Sequence, residues 1–325
     1  MEIRNLGLSG LRVSAIGLGC NNFGGRSGPV ETKAVIHKAL DLGITLFDTA
    51  DTYGNRGGSE DLMGQILGDD RKRIVLATKF ANPMDDVGVK VGAARRYIMS
   101  ALDDSLRRLR TDWIDLYQVH SPDPLTPIEE TLRALDDLIC AGKVRYIGCS
   151  NFPAWQMVEA QWTARANGLN AFVSCQDEYS LIAREPEAAL LPAMRKYGLG
   201  LLPYAPLASG LLTGKYRRNA PMPAGTRLAK DERLATRFLT DRNWSIAEKL
   251  GDFAAARGRT MLELAFSWLL AQASVSSVIA GAAQPEQLEQ NVKAGDWKLT
   301  ADELTEIERL RTPDRPLSRQ AATGN

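Results

Sequence analysis

Residues 114–151 read IDLYQVHSPDPLTPIEETLRALDDLICAGKVRYIGCSN, and this stretch decides the architecture. Residues 114–118 are a short apolar run rich in strand-forming types, which predicts a β-strand. Thr126-Pro127 opens a helix, because proline in the first turn gives up an N–H that has no intrahelical partner anyway. Residues 129–140 place Leu132, Leu135, Leu138 and Ile139 on one stripe, the pattern of a helix buried on one side. Residues 144–149 return to a β run. Two strands joined through a helix of this length run parallel, with the helix laid over the sheet.

The same alternation repeats outward in both directions. Apolar runs at 15–18, 45–47, 74–77, 172–175, 200–203 and 277–280 predict six further strands. Between them, residues 31–42 carry Val35, Ile36, Ala39 and Leu40 at helical spacing and stop on Gly43, while 92–110 align Ile98, Leu102, Leu106 and Leu109. Eight strands, each followed by a helix or by a long loop and a helix, predict an α/β fold, a parallel (β/α)8 TIM barrel, as one domain over 1–325. A doubly wound sheet would carry a glycine fingerprint at its first strand–helix turn, and Gly17-Leu18-Gly19 followed by Cys20, Asn21 and Asn22 lacks the third glycine. Residues 2–13, with Ser9-Gly10 between short apolar runs, predict a hairpin capping the barrel's bottom. Residues 214–240 predict an insertion after the seventh strand, and a C-terminal helical extension ends in a short tail after Leu310.

Composition narrows the function. Hydrophobic residues make up 44% and charged residues 24%, an ordinary globular balance. Forty basic against thirty-nine acidic side chains give a net charge of +1, so the whole-molecule field attracts neither nucleic acid nor an anionic membrane. Cys20, Cys140, Cys149 and Cys175 are scattered, and only His37 and His120 offer imidazoles, so no metal site is expected. The opening MEIRNLGLSG has no signal-peptide pattern, which predicts a cytoplasmic, reducing setting. Residues 197–214 are broken by proline and glycine, and 264–285 by Gln272, Ser274, Ser276 and Ser277, so no membrane span is expected.

Parallel barrels build active sites at the carboxyl ends of their strands. Here those ends deliver Asp48, Lys79, His120, Ser150-Asn151, Gln176, Tyr204 and Gly281, and Tyr53 follows Asp48 on the next loop. Each alone has a bland reading: a cap, a rim lysine, a turn histidine, a packing aromatic. Together at one mouth they make a proton-delivery site. A free tyrosine has a pKa of ~10, and a nearby cation such as Lys79, itself held by Asp48, favours its phenolate. His120 is placed to hydrogen-bond the phenol or a substrate oxygen. The set offers no nucleophile–base pair and no paired carboxylates, but suits giving one proton to a carbonyl oxygen while a cofactor supplies hydride.

Six segments carry a family resemblance: GITLFDTADTYG (43–54), VLATKF (75–80), DLYQVHSPD (115–123), VRYIGCSNF (144–152), PYAPLASGLLTGKY (203–216) and VIAGAAQPEQLEQN (278–291). In that order they resemble the aldo-keto reductases over nearly the whole chain, nearest the branch with potassium-channel β subunits and bacterial oxidoreductases. The resemblance implies a catalytic tetrad of Asp48, Tyr53, Lys79 and His120, in which Tyr53 donates the proton, Lys79 and Asp48 lower its pKa, and His120 orients the carbonyl. It implies NADPH across the barrel mouth, with NADH as the alternative. Cys20, Asn21 and Asp48 would border this coenzyme, with Ser150, Asn151 and Gln176 on the nicotinamide carboxamide and Tyr204 against its ring. Ala205, Pro206, Leu207, Ser209 and Lys215 would line the pyrophosphate, and Gly281, Ala283, Gln287, Gln290 and Asn291 the adenosine end. The chain departs from the aldose-reductase branch, whose Lys-Ser motif and Arg are replaced by Gly281-Ala282 and Gln287; Lys215 and Arg227 then serve the adenosine phosphate. Asn22, Phe23, Phe80 and Asn82, with Trp113 as a further candidate, are expected to meet a small carbonyl substrate. A cofactor-sensing regulatory subunit with little turnover is the alternative function on this fold.

Overall fold

A computed structural model describes residues 1–311. Eight parallel strands run in the order β10-β3-β4-β5-β6-β7-β8-β9: β3 (Ile16–Gly19), β4 (Leu46–Asp48), β5 (Val75–Phe80), β6 (Ile114–Val119), β7 (Val144–Ser150), β8 (Ser174–Glu178), β9 (Gly200–Tyr204) and β10 (Val278–Gly281). Apart from β10, which pairs back onto β3, neighbours in space are neighbours in sequence, as right-handed strand–helix–strand units require. The seam between β9 and β10 closes through a single bridge, with the Leu201 N–H on the Ser274 carbonyl at 2.7 Å and the Ser276 N–H on the Leu201 carbonyl at 2.9 Å. The result is the TIM barrel expected from the sequence.

Helices α1 (Pro29–Asp41), α2 (Tyr53–Leu67), α3 (Arg95–Leu109), α4 (Ile128–Cys140), α5 (Ala154–Asn167) and α6 (Leu190–Tyr197) cover the outside. After β9 a short 3₁₀ segment, Ala208–Thr213, leads into the insertion, which carries α7 (Arg227–Lys230) and α8 (Glu232–Phe238). Then follow α9 (Asp241–Ala255), α10 (Met261–Leu270), α11 (Pro285–Ala294) and the C-terminal α12 (Ala301–Arg311). The rest of the short tail expected after Leu310 lies outside the described residues. Among the described residues no helix is long and apolar enough to cross a membrane.

The hairpin pairs β1 (Ile3–Asn5) with β2 (Arg12–Ser14). Its Leu6 and Val13 are fully buried against Leu46, Ala77, Leu116, Leu202 and Ile279, so it plugs the barrel's lower end. Several boundaries moved. The third and sixth strands, expected at 74–77 and 172–175, reach Phe80 and Glu178, because their inward polar residues interrupt the apolar pattern that marks a strand. The helix expected from 92 begins at Arg95; residue 93 instead gives its N–H to Asp123 Oδ2 at 2.8 Å, tying the loop to the neighbouring one.

Candidate active site

Alternation along each strand selects what faces the barrel axis. Leu46, Ala77, Leu116, Leu202 and Ile279 form the lower apolar layer. Two residues further on, the same face carries Asp48, Lys79, Gln118, Tyr204 and Gly281. A polar layer therefore sits on an apolar one at the carboxyl end of the strands. Within it, Lys79 is fully buried and donates from Nζ to Asp48 Oδ2 at 2.6 Å and to the Thr49 carbonyl at 2.9 Å. The other carboxylate oxygen, Oδ1, accepts from Gln118 Nε2 at 3.1 Å and Gln176 Nε2 at 2.9 Å. Asp48 thus has a partner on each oxygen, as a buried charge needs.

Tyr53 stands over this pair, with the Lys79 ammonium 5.0 Å from its ring centroid. The chain reaches that place through a left-handed turn: Gly54, Asn55 and Arg56 have φ of 67°, 61° and 67°. A Cβ at Gly54 would stand 2.4 Å from the Phe23 carbonyl oxygen, so glycine is required there. Non-glycine residues in this conformation store strain, which clusters where a side chain must be aimed. Burial pushes the Tyr53 phenol above its ordinary value; Lys79 opposes that shift and Asp48 reinforces it. Burial is the largest influence, and of the two expected partners Lys79 acts in the expected direction while Asp48 acts against it. Burial alone would lower Lys79, but Asp48 and then Tyr53 hold its ammonium above the usual range.

His120 follows β6 directly and meets Tyr53 edge to face, ring centroids 5.7 Å apart. Burial, and then the Lys79 charge, lower it to about 3, so the imidazole is neutral at physiological pH. Its Nδ1 is buried without a partner, which leaves Nε2 to meet a ligand. Asn151, also left-handed with φ 60°, donates from Nδ2 to the His120 carbonyl at 2.9 Å and accepts the Tyr204 hydroxyl on Oδ1 at 2.8 Å. Three strand ends are locked together by these bonds.

A cleft of about 1610 Å³ opens above this layer. It gathers Cys20, Asn21, Asp48, Tyr53, His120, Ser150, Asn151, Gln176 and Tyr204 at the barrel mouth. It continues past Ala205, Pro206, Leu207, Ser209, Lys215 and Arg227 to Gly281, Ala283, Gln287, Gln290 and Asn291. Gly210 makes room for Lys215, whose Nζ would lie 3.1 Å from a Cβ there. Asn22 also lines the cleft, but the other proposed substrate contacts do not. Phe80 follows inward Lys79 and so points outward, buried and stacked on Tyr117 at 4.7 Å. Phe23 is fully buried in the core; Trp113 precedes β6 at the opposite end, under Arg71; and Asn82 lies off the cleft wall. A separate hollow of about 510 Å³ near Arg4, Leu8 and Arg195 lies at the hairpin end, where no strand of the eight-stranded barrel presents its carboxyl terminus. Among the described residues no three His, Cys, Asp or Glu side chains gather as a metal site.

Sequence reading missed several residues. Gln118 was detectable, since it shares parity with Leu116 on β6 and with His120 just beyond it. Glu178 and Arg237, paired at 2.6 Å across the cleft, join β8 to α8 and carry no sequence signal of their contact. Behind Tyr53 lies a buried network: Glu60 accepts from Thr78 Oγ1 at 2.5 Å and Arg108 Nε at 2.7 Å, and Asp51 accepts from the Tyr97 hydroxyl at 3.3 Å. Burial and then the Glu60 charge push Asp51 up to about 7.

The comparisons with known proteins agree with this geometry. The model of the aldo/keto reductase family matches residues 15–312. The chain is 38% identical to a probable voltage-gated potassium channel subunit beta of Oryza sativa, covering 91% of this chain and 92% of that one. It is 37% identical to the uncharacterized oxidoreductase YrpG of Bacillus subtilis, covering 94% of each. It is 34% identical to the L-glyceraldehyde 3-phosphate reductase of Escherichia coli K12, covering 95% and 92%. A match of that extent, on a barrel whose strand ends bring these side chains to one mouth, makes the chain a member of the aldo/keto reductase family and an oxidoreductase.

Proposed function

We propose that this chain reduces an aldehyde or ketone to the alcohol, with NADPH as coenzyme and Tyr53 as general acid. The observation that carries the reading is the buried Asp48–Lys79 pair under Tyr53, beside a neutral His120 at the head of one long cleft. The cleft suits a dinucleotide: amide and hydroxyl side chains lie at the mouth, Lys215 and Arg227 along the insertion, and Gln287, Gln290 and Asn291 beyond. A bound reduced nicotinamide supplies the hydride. The carbonyl oxygen then gains negative charge and takes the proton of Tyr53 Oη. Lys79 offsets the charge left on the phenolate, and Asp48 holds Lys79 where it can do so. Neutral His120 donates a hydrogen bond to the same oxygen without adding a competing proton source. Four free thiols, three of them buried, fit a cytoplasmic setting.

The test is multiple-turnover oxidation of NADPH by the wild-type chain with a panel of small aldehydes and ketones. Turnover with alcohol formed in equal amount supports the reading. Coenzyme binding without turnover on any of them would place the chain with sensing subunits instead.

A further inference from the structure

Residues 51–60 carry Tyr53, and this segment is tied down at both ends while its middle is strained. At one end the Asp51 N–H bonds the Lys79 carbonyl at 3.1 Å, and the Asp51 carboxylate takes the Tyr97 hydroxyl of α3 at 3.3 Å. In the middle, the left-handed run that starts at Gly54 continues through Gly57, with φ 117°. Asn55 and Arg56 within it are residues for which that conformation is unfavourable. At the other end Ser59 and Glu60 are fully buried. Ser59 Oγ donates to the Cys20 carbonyl at 2.8 Å and meets Thr49 Oγ1 at 2.9 Å. Glu60 accepts from Thr78 Oγ1 on one oxygen at 2.5 Å and from Arg108 Nε on the other at 2.7 Å. Thr49 and Thr78 adjoin Asp48 and Lys79 in sequence, so the turn is anchored on the strand ends that carry the buried pair.

Arg108 reaches this anchor from α3. Its side chain runs directly beneath the turn, since a Cβ on Gly57 would stand 2.7 Å from Arg108 Cδ. Its backbone is fixed as well. A Cβ on Gly64 would stand 2.2 Å from the Arg108 carbonyl oxygen, so α2 and α3 meet there backbone to backbone. The guanidinium also gives Nη2 to Ser105 Oγ at 3.3 Å. A buried ion pair adds little net stability over apolar packing of the same volume, but its hydrogen bonds are directional. Here they fix the far end of a turn that begins beside Tyr53.

We propose that Arg108, acting through Glu60, is a positioning residue for Tyr53, holding the left-handed turn that aims the phenol into the cleft. Neither Arg108 nor Glu60 lines that cleft, so their effect passes through the turn and not through contact with a ligand. The proposal rests on the reading of Tyr53 as general acid.

The test uses the full chain with Arg108→Met, Arg108→Lys and Thr78→Val. Methionine keeps an unbranched stem beneath Gly57 and removes the donor fork, whereas lysine keeps a charge and a donor. Valine cuts only the bond from β5 to Glu60, and it decides by the same readouts if Arg108→Met does not fold. Arg108→Met should lower kcat for carbonyl reduction about ten- to a hundredfold, the scale of a ~1 Å misplacement, and leave coenzyme affinity and carbonyl KM within about twofold. Arg108→Lys should recover part of that rate, and Thr78→Val should lower kcat in the same sense. A second readout needs no turnover. In a chain with isotope-labelled tyrosines, the ring NMR signal missing from Tyr53→Phe belongs to Tyr53; it should shift or broaden in Arg108→Met and return toward its place in Arg108→Lys. A kcat and a Tyr53 signal both unchanged in Arg108→Met, or coenzyme affinity falling as far as kcat, would overturn the proposal. The two ideas fail separately. A Tyr53 signal that follows Arg108 in a chain that reduces no carbonyl keeps the positioning role and loses the reductase reading. Carbonyl reduction indifferent to Arg108→Met, with the signal unmoved, does the reverse.

Discussion

Replacing Lys79 by Met removes the cation on which the polar layer is built. The methionine matches the lysine stem, so the fully enclosed volume stays filled and the loss is electrostatic. Three contacts go: the 2.6 Å bond to Asp48, the 2.9 Å bond to the Thr49 carbonyl and the 5.0 Å approach to the Tyr53 ring. Breaking a buried pair from one side typically costs ~3–5 kcal/mol, because the surviving charge stays buried. Asp48 keeps two amide donors, at 3.1 and 2.9 Å, which places the expected cost near the lower bound, about 3 kcal/mol. Urea unfolding at neutral pH measures it. The stranded carboxylate binds a proton more readily as the pH falls, so the gap to wild type should narrow toward acid. Asp48→Asn on top of Lys79→Met should recover part of the loss, since the surviving charge is then gone. A Lys79→Met chain within about 1 kcal/mol of wild type, with no pH dependence of the difference, would refute the reasoning, because a buried pair cannot lose one member at so low a cost.

Because His120 is lowered to about 3, the rate of carbonyl reduction should show no inflection near pH 6.5; a titration there, removed by His120→Gln, would show that the imidazole is not held neutral. Asp51 is pushed up to about 7 against an ordinary carboxyl value of ~3.9. The folded state therefore favours its protonated form, giving stability that is full below pH ~4 and falls as pH rises through ~7, by up to about 4 kcal/mol. Asp51→Asn, which mimics the protonated carboxyl, should flatten that slope in urea unfolding at pH 5 and pH 8. Identical slopes in both chains would contradict the buried-carboxyl account.

The barrel was legible because each strand–helix unit repeats a simple pattern, as residues 114–151 show, and because helix stripes such as Leu132, Leu135 and Leu138 face the core as their spacing requires. Strand ends were less legible. A polar inward residue such as Lys79 or Gln176 looks like a loop until its partners across the barrel are known. The ionisable strand-end residues could be named from position alone, since Asp48, Lys79 and His120 each close a strand run, whereas the balance of forces on Tyr53 could not. That balance depends on burial and on the distance between Asp48 and Lys79, neither of which is written in sequence. Phe23 and Phe80 were misplaced for a related reason. An aromatic near a strand end points into or out of the barrel according to a one-residue shift in parity, and Phe80 is one residue past the inward Lys79.

The central claim is that Tyr53 delivers a proton to a substrate carbonyl from a site where its phenol is kept protonated. Its most direct test compares wild type and Tyr53→Phe in multiple-turnover NADPH oxidation with a competent aldehyde, while coenzyme affinity is measured in parallel by calorimetry. The substitution removes one oxygen and keeps the ring that packs beside His120 and over Lys79, so the cleft should persist. The account predicts a fall in turnover of about 10²–10⁴-fold or more, with coenzyme affinity nearly unchanged. A Tyr53→Phe chain that retains more than about half of the wild-type rate, well outside the span expected for a lost general acid, would contradict it.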